Sequence, residues 1–198
     1  MIKAVLFDMD GVILDSHDAW FYIFNKTLMK FEKKEISLEE FDECVWAKAF
    51  EKTCKKYFTV SQSDINQYYL EIYPEFKQRT KPMKNVEETL TKLRGKGIKL
   101  AVASNTQKEV VKKSLVDVNL AGFFDLFLGG DSVEKGKPEP DILFKALELL
   151  RLNKEDVLFI GDTIWDKMAA EAAGVEFVGF QIDSKNRIED LNELIELV

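Results

Sequence analysis

An α/β fold, built as a parallel sheet covered on both faces with a small helical insertion behind its first strand, is the architecture this chain predicts. Three observations predict it. From about residue 81 onward, apolar runs of strand length alternate with amphipathic helical patterns across short connections, as in a parallel sheet flanked by helices. Residues 16–80 break that rhythm, with no convincing strand and three or four helical segments. The first apolar run, residues 2–7, stops at Asp8-Met9-Asp10-Gly11, so the insertion begins where a buried strand ends.

Each element follows from local pattern. Residues 2–7 form the first strand, and Gly11 lets the backbone turn sharply after it. In the insertion, helical patterns run over 17–30, from Ser37-Leu38-Glu39-Glu40, and from near Ser61-Gln62-Ser63-Asp64; Ser37 and Glu40 have capping-box spacing. The linkers fall near 11–16 and 80–84, where Pro82 sits, which divides the chain into a core (1–15 and 81–198) and a cap (16–80). Asn85-Val86-Glu87-Glu88 opens a helix with Val86, Leu90 and Leu93 on one face and Gly95 as its stop. Residues 98–103 are a strand, 108–116 a helix and 126–128 a short strand. Residues 139–150 are amphipathic, with Ile142, Leu143, Ala146, Leu147 and Leu150 on the apolar side. Strand 157–160, helix 165–173 stopped by Gly174, strand 175–178 and a closing helix over 187–197 complete the pattern.

Composition excludes several function classes. The net charge of −7 provides no basic field for nucleic acid, and lysines interleave with glutamates, as in Glu32-Lys33-Lys34-Glu35, like a solvated helix face. No stretch approaches the roughly 18 continuous apolar residues of a membrane span, and the N-terminus enters a strand without a charged leader or cleavage site. A cytoplasmic, monomeric protein is the expectation. Cys44 and Cys54 lack CxxC spacing and read as reduced thiols, and the single histidine, His17, excludes a site built from several imidazoles.

The chemistry gathers at strand ends. Asp8 and Asp10 are two apart in an extended chain, so both carboxylates can share a face, and two like charges at the end of a buried strand need compensation such as a divalent cation. Three further segments fall after strands or before helices: Ser104-Asn105-Thr106, Gly136-Lys137-Pro138-Glu139-Pro140-Asp141 and Gly161-Asp162-Thr163-Ile164-Trp165-Asp166. A parallel sheet brings such segments together at its carboxyl edge, where open α/β sheets bind ligands. Taken singly, each segment has a plain structural reading as a loop start, a turn or a helix cap, including Asn105 or Thr106 as caps.

Together and in this order, the four segments resemble the motifs of the haloacid dehalogenase superfamily of phosphotransferases, over essentially the whole chain. The helical insertion between the first and second motifs resembles its phosphoglycolate phosphatase and beta-phosphoglucomutase branches. The resemblance implies a doubly wound, Rossmann-like core, a mobile cap, magnesium dependence and a phosphoaspartyl intermediate. On that pattern Asp8 is the nucleophile and Asp10 the general acid and base. Asp8, the backbone carbonyl of Asp10 and Asp162 would supply oxygens to magnesium, with Asp166 acting through water or as an orienting group. Lys137, the Ser104 hydroxyl and the Asn105 backbone N–H would hold the phosphoryl oxygens.

The expected activity is hydrolysis of a small-molecule phosphomonoester. Sugar phosphomutase is the alternative, though Gly161 stands where that branch carries Glu, and Trp20 where it carries a histidine. A protein that kept the fold and only binds a metal or partner is the alternative from another class. Trp20, Phe21, Tyr22 and Phe24 are expected to pack between cap helices, with room for one of them to face substrate. Trp46 and Lys48 are within reach of the active site but are expected to be structural or at the surface, His17 to be exposed, and Trp165 to pack under the site.

Overall fold

The computed structural model describes residues 1–48 and 50–198. In chain order the elements are β1 (Ala4–Phe7), β2 (Leu14–Asp15), α1 (His17–Phe31), α2 (Leu38–Cys44), α3 (Phe50–Tyr57), α4 (Gln62–Lys77), β3 (Lys81–Pro82) and α5 (Val86–Gly95). There follow β4 (Lys99–Ala103), α6 (Lys108–Asp117), β5 (Leu126–Leu128), α7 (Asp141–Leu150), β6 (Val157–Gly161), α8 (Ile164–Ala173), β7 (Glu176–Phe180) and β8 (Asn186–Ile188), and a 3-10 helix over Leu191–Leu197 ends the chain.

Six strands form one parallel sheet in the order β5-β4-β1-β6-β7-β8. Alternation along β1 explains the two helical layers. Val5 and Phe7 face a cluster with Leu90 and Leu93 of α5 and Val111 and Leu115 of α6, whereas Ala4 and Leu6 face Ile142 and Leu143 of α7 and Ala169 and Ala170 of α8. The chain builds β4 and β5 on one side of β1, then crosses to build β6 to β8 on the other. This reversal makes the carboxyl end of β1 the crevice of the sheet. Register aligns Phe7 with Val102 of β4 and Ile160 of β6, so the residues that follow these strands emerge side by side.

The insertion is a cap of four helices, α1 to α4, entered through β2 and left through β3, which pair antiparallel. Its core is aromatic: Phe24, Phe41, Tyr57, Phe58, Tyr69 and Phe76 are buried in one cluster, which Val110 of α6 joins from below. Ser37 caps α2 by accepting from the Glu40 N–H, and Ser61 with Asp64 forms a reciprocal capping box at α4.

Three expectations need correction. The closing helix does not begin at 187: Arg187 and Ile188 pair with Gly179 and Phe180 as β8, and the helix starts at Leu191 in 3-10 form, capped by Asp190 through the Asn192 N–H at 2.9 Å. Leu191 and Leu194 are spaced by three, which suits three residues per turn, and both are fully buried. Asn85 does not cap α5; it holds a left-handed conformation (φ 63°) and its side chain donates to Asp190 at 2.7 Å. Gly95 is still helical, and the left-handed stop falls two residues later at Gly97.

Candidate active site

Four loops at the carboxyl edge converge on one cavity of about 110 Å³ beneath the cap. Asp8 and Asp10 leave β1, Ser104 leaves β4, Lys137 comes from the loop after β5, and Asp166 sits in the first turn of α8 after β6. Gly11 (φ 85°) makes this convergence possible, because a Cβ there would run into the Asp162 carboxylate. Gly161 is equally constrained, since its Cβ position is filled by Asp166.

The buried cation is Lys137. Its Nζ lies 2.8 Å from Asp8 Oδ1 and 2.6 Å from Asp166 Oδ1, and all three side chains are almost fully buried. Burial alone would depress the lysine, but Asp166 and Asp8 outweigh it and hold its ammonium above the ordinary range. Asp166 is fixed from its other oxygen by the Thr163 hydroxyl (2.5 Å) and N–H (3.1 Å), the capping box of α8. The Asn105 side chain fixes the lysine loop: its Oδ1 accepts from the Lys137 N–H at 2.8 Å, and its Nδ2 donates to the Lys137 carbonyl at 3.0 Å.

The two aspartates of the first motif have different surroundings. Burial pushes the Asp8 carboxyl up to about 7 against the pull of Lys137, with Asp166 and Asp10 adding to the rise. Asp10 is surrounded by neutral donors: Ser16 Oγ at 2.6 Å and Trp20 Nε1 at 2.8 Å on one oxygen, and Thr106 Oγ1 at 3.0 Å on the other. Burial raises the Asp10 carboxyl, and these donors oppose the rise. One aspartate therefore faces a charged cluster, while the other is oriented by a hydrogen-bonded cradle.

Asp8, Asp162 and Asp166 each bring an oxygen within 4.8 Å of the others. Asp162 Oδ1 is buried without a hydrogen-bond partner among the described residues. An orphaned buried carboxylate oxygen is costly. Burial, with Asp8 and Asp166 nearby, raises the Asp162 carboxyl well above its ordinary range. A hard divalent cation is the group that this all-oxygen donor set fits. The Asp10 carboxylate stands outside the cluster.

The structure thus brings Asp8, Asp10, Ser104, Asn105, Lys137, Asp162 and Asp166 to one place. Sequence reasoning missed the cradle of Asp10. Trp20, expected first of all to pack, does contact Phe76 and Tyr69, and its indole N–H also reaches Asp10. The available signal was spacing: Ser16 and Trp20 are four apart at the start of α1, so they share the face turned toward β1. Thr106 caps no helix and instead donates to Asp10. His17 is half-buried rather than exposed, bonded to Asp42 at 2.6 Å and edge-on to Trp46. Lys48, expected to be structural or at the surface, lines the cavity with Trp46, and its ammonium stands 3.9 Å over the ring of Trp165. Trp165, expected beneath the site, is thereby clasped to the cap.

Comparison with known proteins agrees with this geometry. The family model for haloacid dehalogenase-like hydrolases matches residues 5–180. A phosphoglycolate phosphatase of Aquifex aeolicus is 36% identical over 184 residues, covering 88% of this chain and 83% of its own. The pyrophosphatase PpaX of Halalkalibacterium halodurans is 25% identical over 193 residues, covering 96% and 90%. Among solved structures, a mutant of CbbY from Rhodobacter sphaeroides in complex with xylulose-(1,5)bisphosphate has a TM-score of 0.86 at 21% identity, over 98% of this chain and 96% of that one. This last likeness establishes the shared fold.

Proposed function

Because the chain belongs to the haloacid dehalogenase-like hydrolase family, we propose that it is a magnesium-dependent phosphatase that hydrolyses a small-molecule phosphomonoester through an aspartyl-phosphate on Asp8. The observation that carries this reading is the unequal environment of two aspartates only two residues apart. Separated environments assign separate roles to paired carboxylates. Asp8, beside Lys137 and the orphaned Asp162, is the nucleophile: its carboxylate attacks phosphorus and the ester oxygen leaves. Asp10, on its neutral cradle, gives a proton to the departing oxygen and then takes one from the water that attacks the acyl phosphate. Lys137 and the Ser104 hydroxyl hold the phosphoryl oxygens where charge accumulates, and Asn105 keeps the lysine loop in place.

Asp8, Asp162 and the Asp10 carbonyl would hold magnesium, with Asp166 orienting the set. The ion would supply positive charge opposite the phosphoryl group and satisfy the Asp162 oxygen. The cap, which closes the cavity over these groups, excludes water during transfer and favours small substrates. No helix among the described residues is long and apolar enough to cross a membrane, and a small metabolite ester suits the cytoplasmic location we assign.

The test is phosphate release from a panel of phosphomonoesters with magnesium and no bisphosphate primer, with Asp8→Asn as the blank. Release that depends on magnesium and Asp8 supports the reading. Primer-dependent isomerisation of a sugar phosphate with negligible release would replace it with a mutase, and no reaction at all would favour a binding protein.

A further inference from the structure

The cavity continues from the phosphoryl-binding floor under the cap, and there its character changes. Its far wall consists of Phe24, Phe41, Val45, Trp46 and Phe50, with Val110 closing it from α6. Ring contacts hold this wall in place, with Phe41 meeting Phe24 at 5.9 Å and Trp46 at 6.2 Å, and Phe50 meeting Tyr69 at 5.7 Å between centroids. Of the polar groups nearby, Trp20, Asn105 and Lys48 are already engaged, and Thr53, Tyr69 and Gln107 also line the cavity. The Trp20 N–H is bonded to Asp10, the Asn105 amide serves the Lys137 loop and the Ala47 carbonyl, and the Lys48 ammonium lies on Trp165.

From this wall we infer that the leaving group is a compact apolar alcohol, a short branched alkyl or single-ring body, and not a polyol or a carboxylate-bearing chain. The inference rests on the phosphatase reading and names its substrate class. A hydroxyl or carboxylate pressed against this wall would exchange water for carbon, whereas apolar surface gains by the same burial. The whole cavity, phosphoryl floor included, measures about 110 Å³, so a nucleoside or disaccharide does not fit beneath the cap.

The experiment compares kcat/KM for isobutyl phosphate and glycerol 1-phosphate, whose primary alcohols are similar in size, with 2-phosphoglycolate as a third substrate, all with magnesium. The expected result is a preference for isobutyl phosphate of at least about 10-fold over both, narrowing toward unity in Phe50→Asn. The wild-type ratio decides the matter even if that variant fails to fold. Equal or better use of glycerol 1-phosphate or 2-phosphoglycolate would overturn the apolar pocket while leaving the phosphatase reading intact. Absence of phosphate release from all three and from acetyl phosphate would overturn both.

Discussion

Lys137 sits between Asp8 and Asp166, and this triad explains why three carboxylates can crowd one buried edge of a sheet. The cation compensates two of them directly, and the third, Asp162, keeps an unpaired oxygen that an added cation would satisfy. Removing one anion from such a cluster relieves like-charge repulsion, so Asp8→Asn should abolish turnover while its Tm in metal-free buffer stays equal to or above that of the wild type. A fall of several degrees on thermal melting would contradict the electrostatic account. Trp20→Phe keeps a ring against Phe76 but deletes the N–H that reaches Asp10. That donor favours the ionised carboxylate, so its loss raises the Asp10 carboxyl. The acidic form then persists to higher pH, and the descending limb of kcat/KM against pH should move upward, with kcat reduced about 10-fold. Asp8, Lys137 and Asp162 were legible in the sequence because each is a charged residue next to an apolar run or a glycine. The cradle of Asp10 was not, because a serine, a tryptophan and a threonine in three separate segments have ordinary packing or capping uses.

Elements were legible in proportion to how far local pattern decides them. Buried strands β1, β4 and β6 are short apolar runs that no other structure accommodates, and α7 and α8 carry apolar faces of unmistakable period. β8 was hidden because three residues with one buried side chain, Ile188, have no period; pairing with β7 creates the strand. The seating of the cap on the core was hidden for the same reason, since it depends on side chains far apart in sequence. Tyr73 and Lys77 of α4 both reach Asp117 at the end of α6, each at 2.8 Å. The Lys77 hydrogen bond leads the interactions that hold the Asp117 carboxyl below its ordinary value. The sign follows: a carboxyl depressed in the folded state contributes above its unfolded value, near 3.8, and loses that contribution as pH falls through the folded one. Hydrogen exchange in α4 should therefore rise relative to the sheet below about pH 4, and Asp117→Asn should remove that pH dependence. Unchanged exchange in the variant and the wild type would show that the Asp117 contacts do not seat the cap.

The whole molecule combines a rigid edge with a closing lid. The order of strand addition reverses at β1, so three adjacent strands deliver Asp8, Ser104 and the Asp162 and Asp166 carboxylates, while the cap supplies an indole N–H and an aromatic roof. Magnesium that binds only the folded chain should stabilise all of it, by about 2.7 kcal/mol at a hundredfold excess over Kd. For a chain of this size that corresponds to a rise in Tm of roughly 5–10 °C, and Asp162→Asn should lose most of the rise. A rise of equal size in the variant would place the ion elsewhere. The covalent step is the centre of the account, and rapid-quench mass spectrometry during turnover of a phosphomonoester measures it most directly. One phosphoryl group is expected on the peptide that carries Asp8, and none in Asp8→Asn. Steady turnover with that peptide unmodified, or the phosphoryl group on another residue, would contradict it.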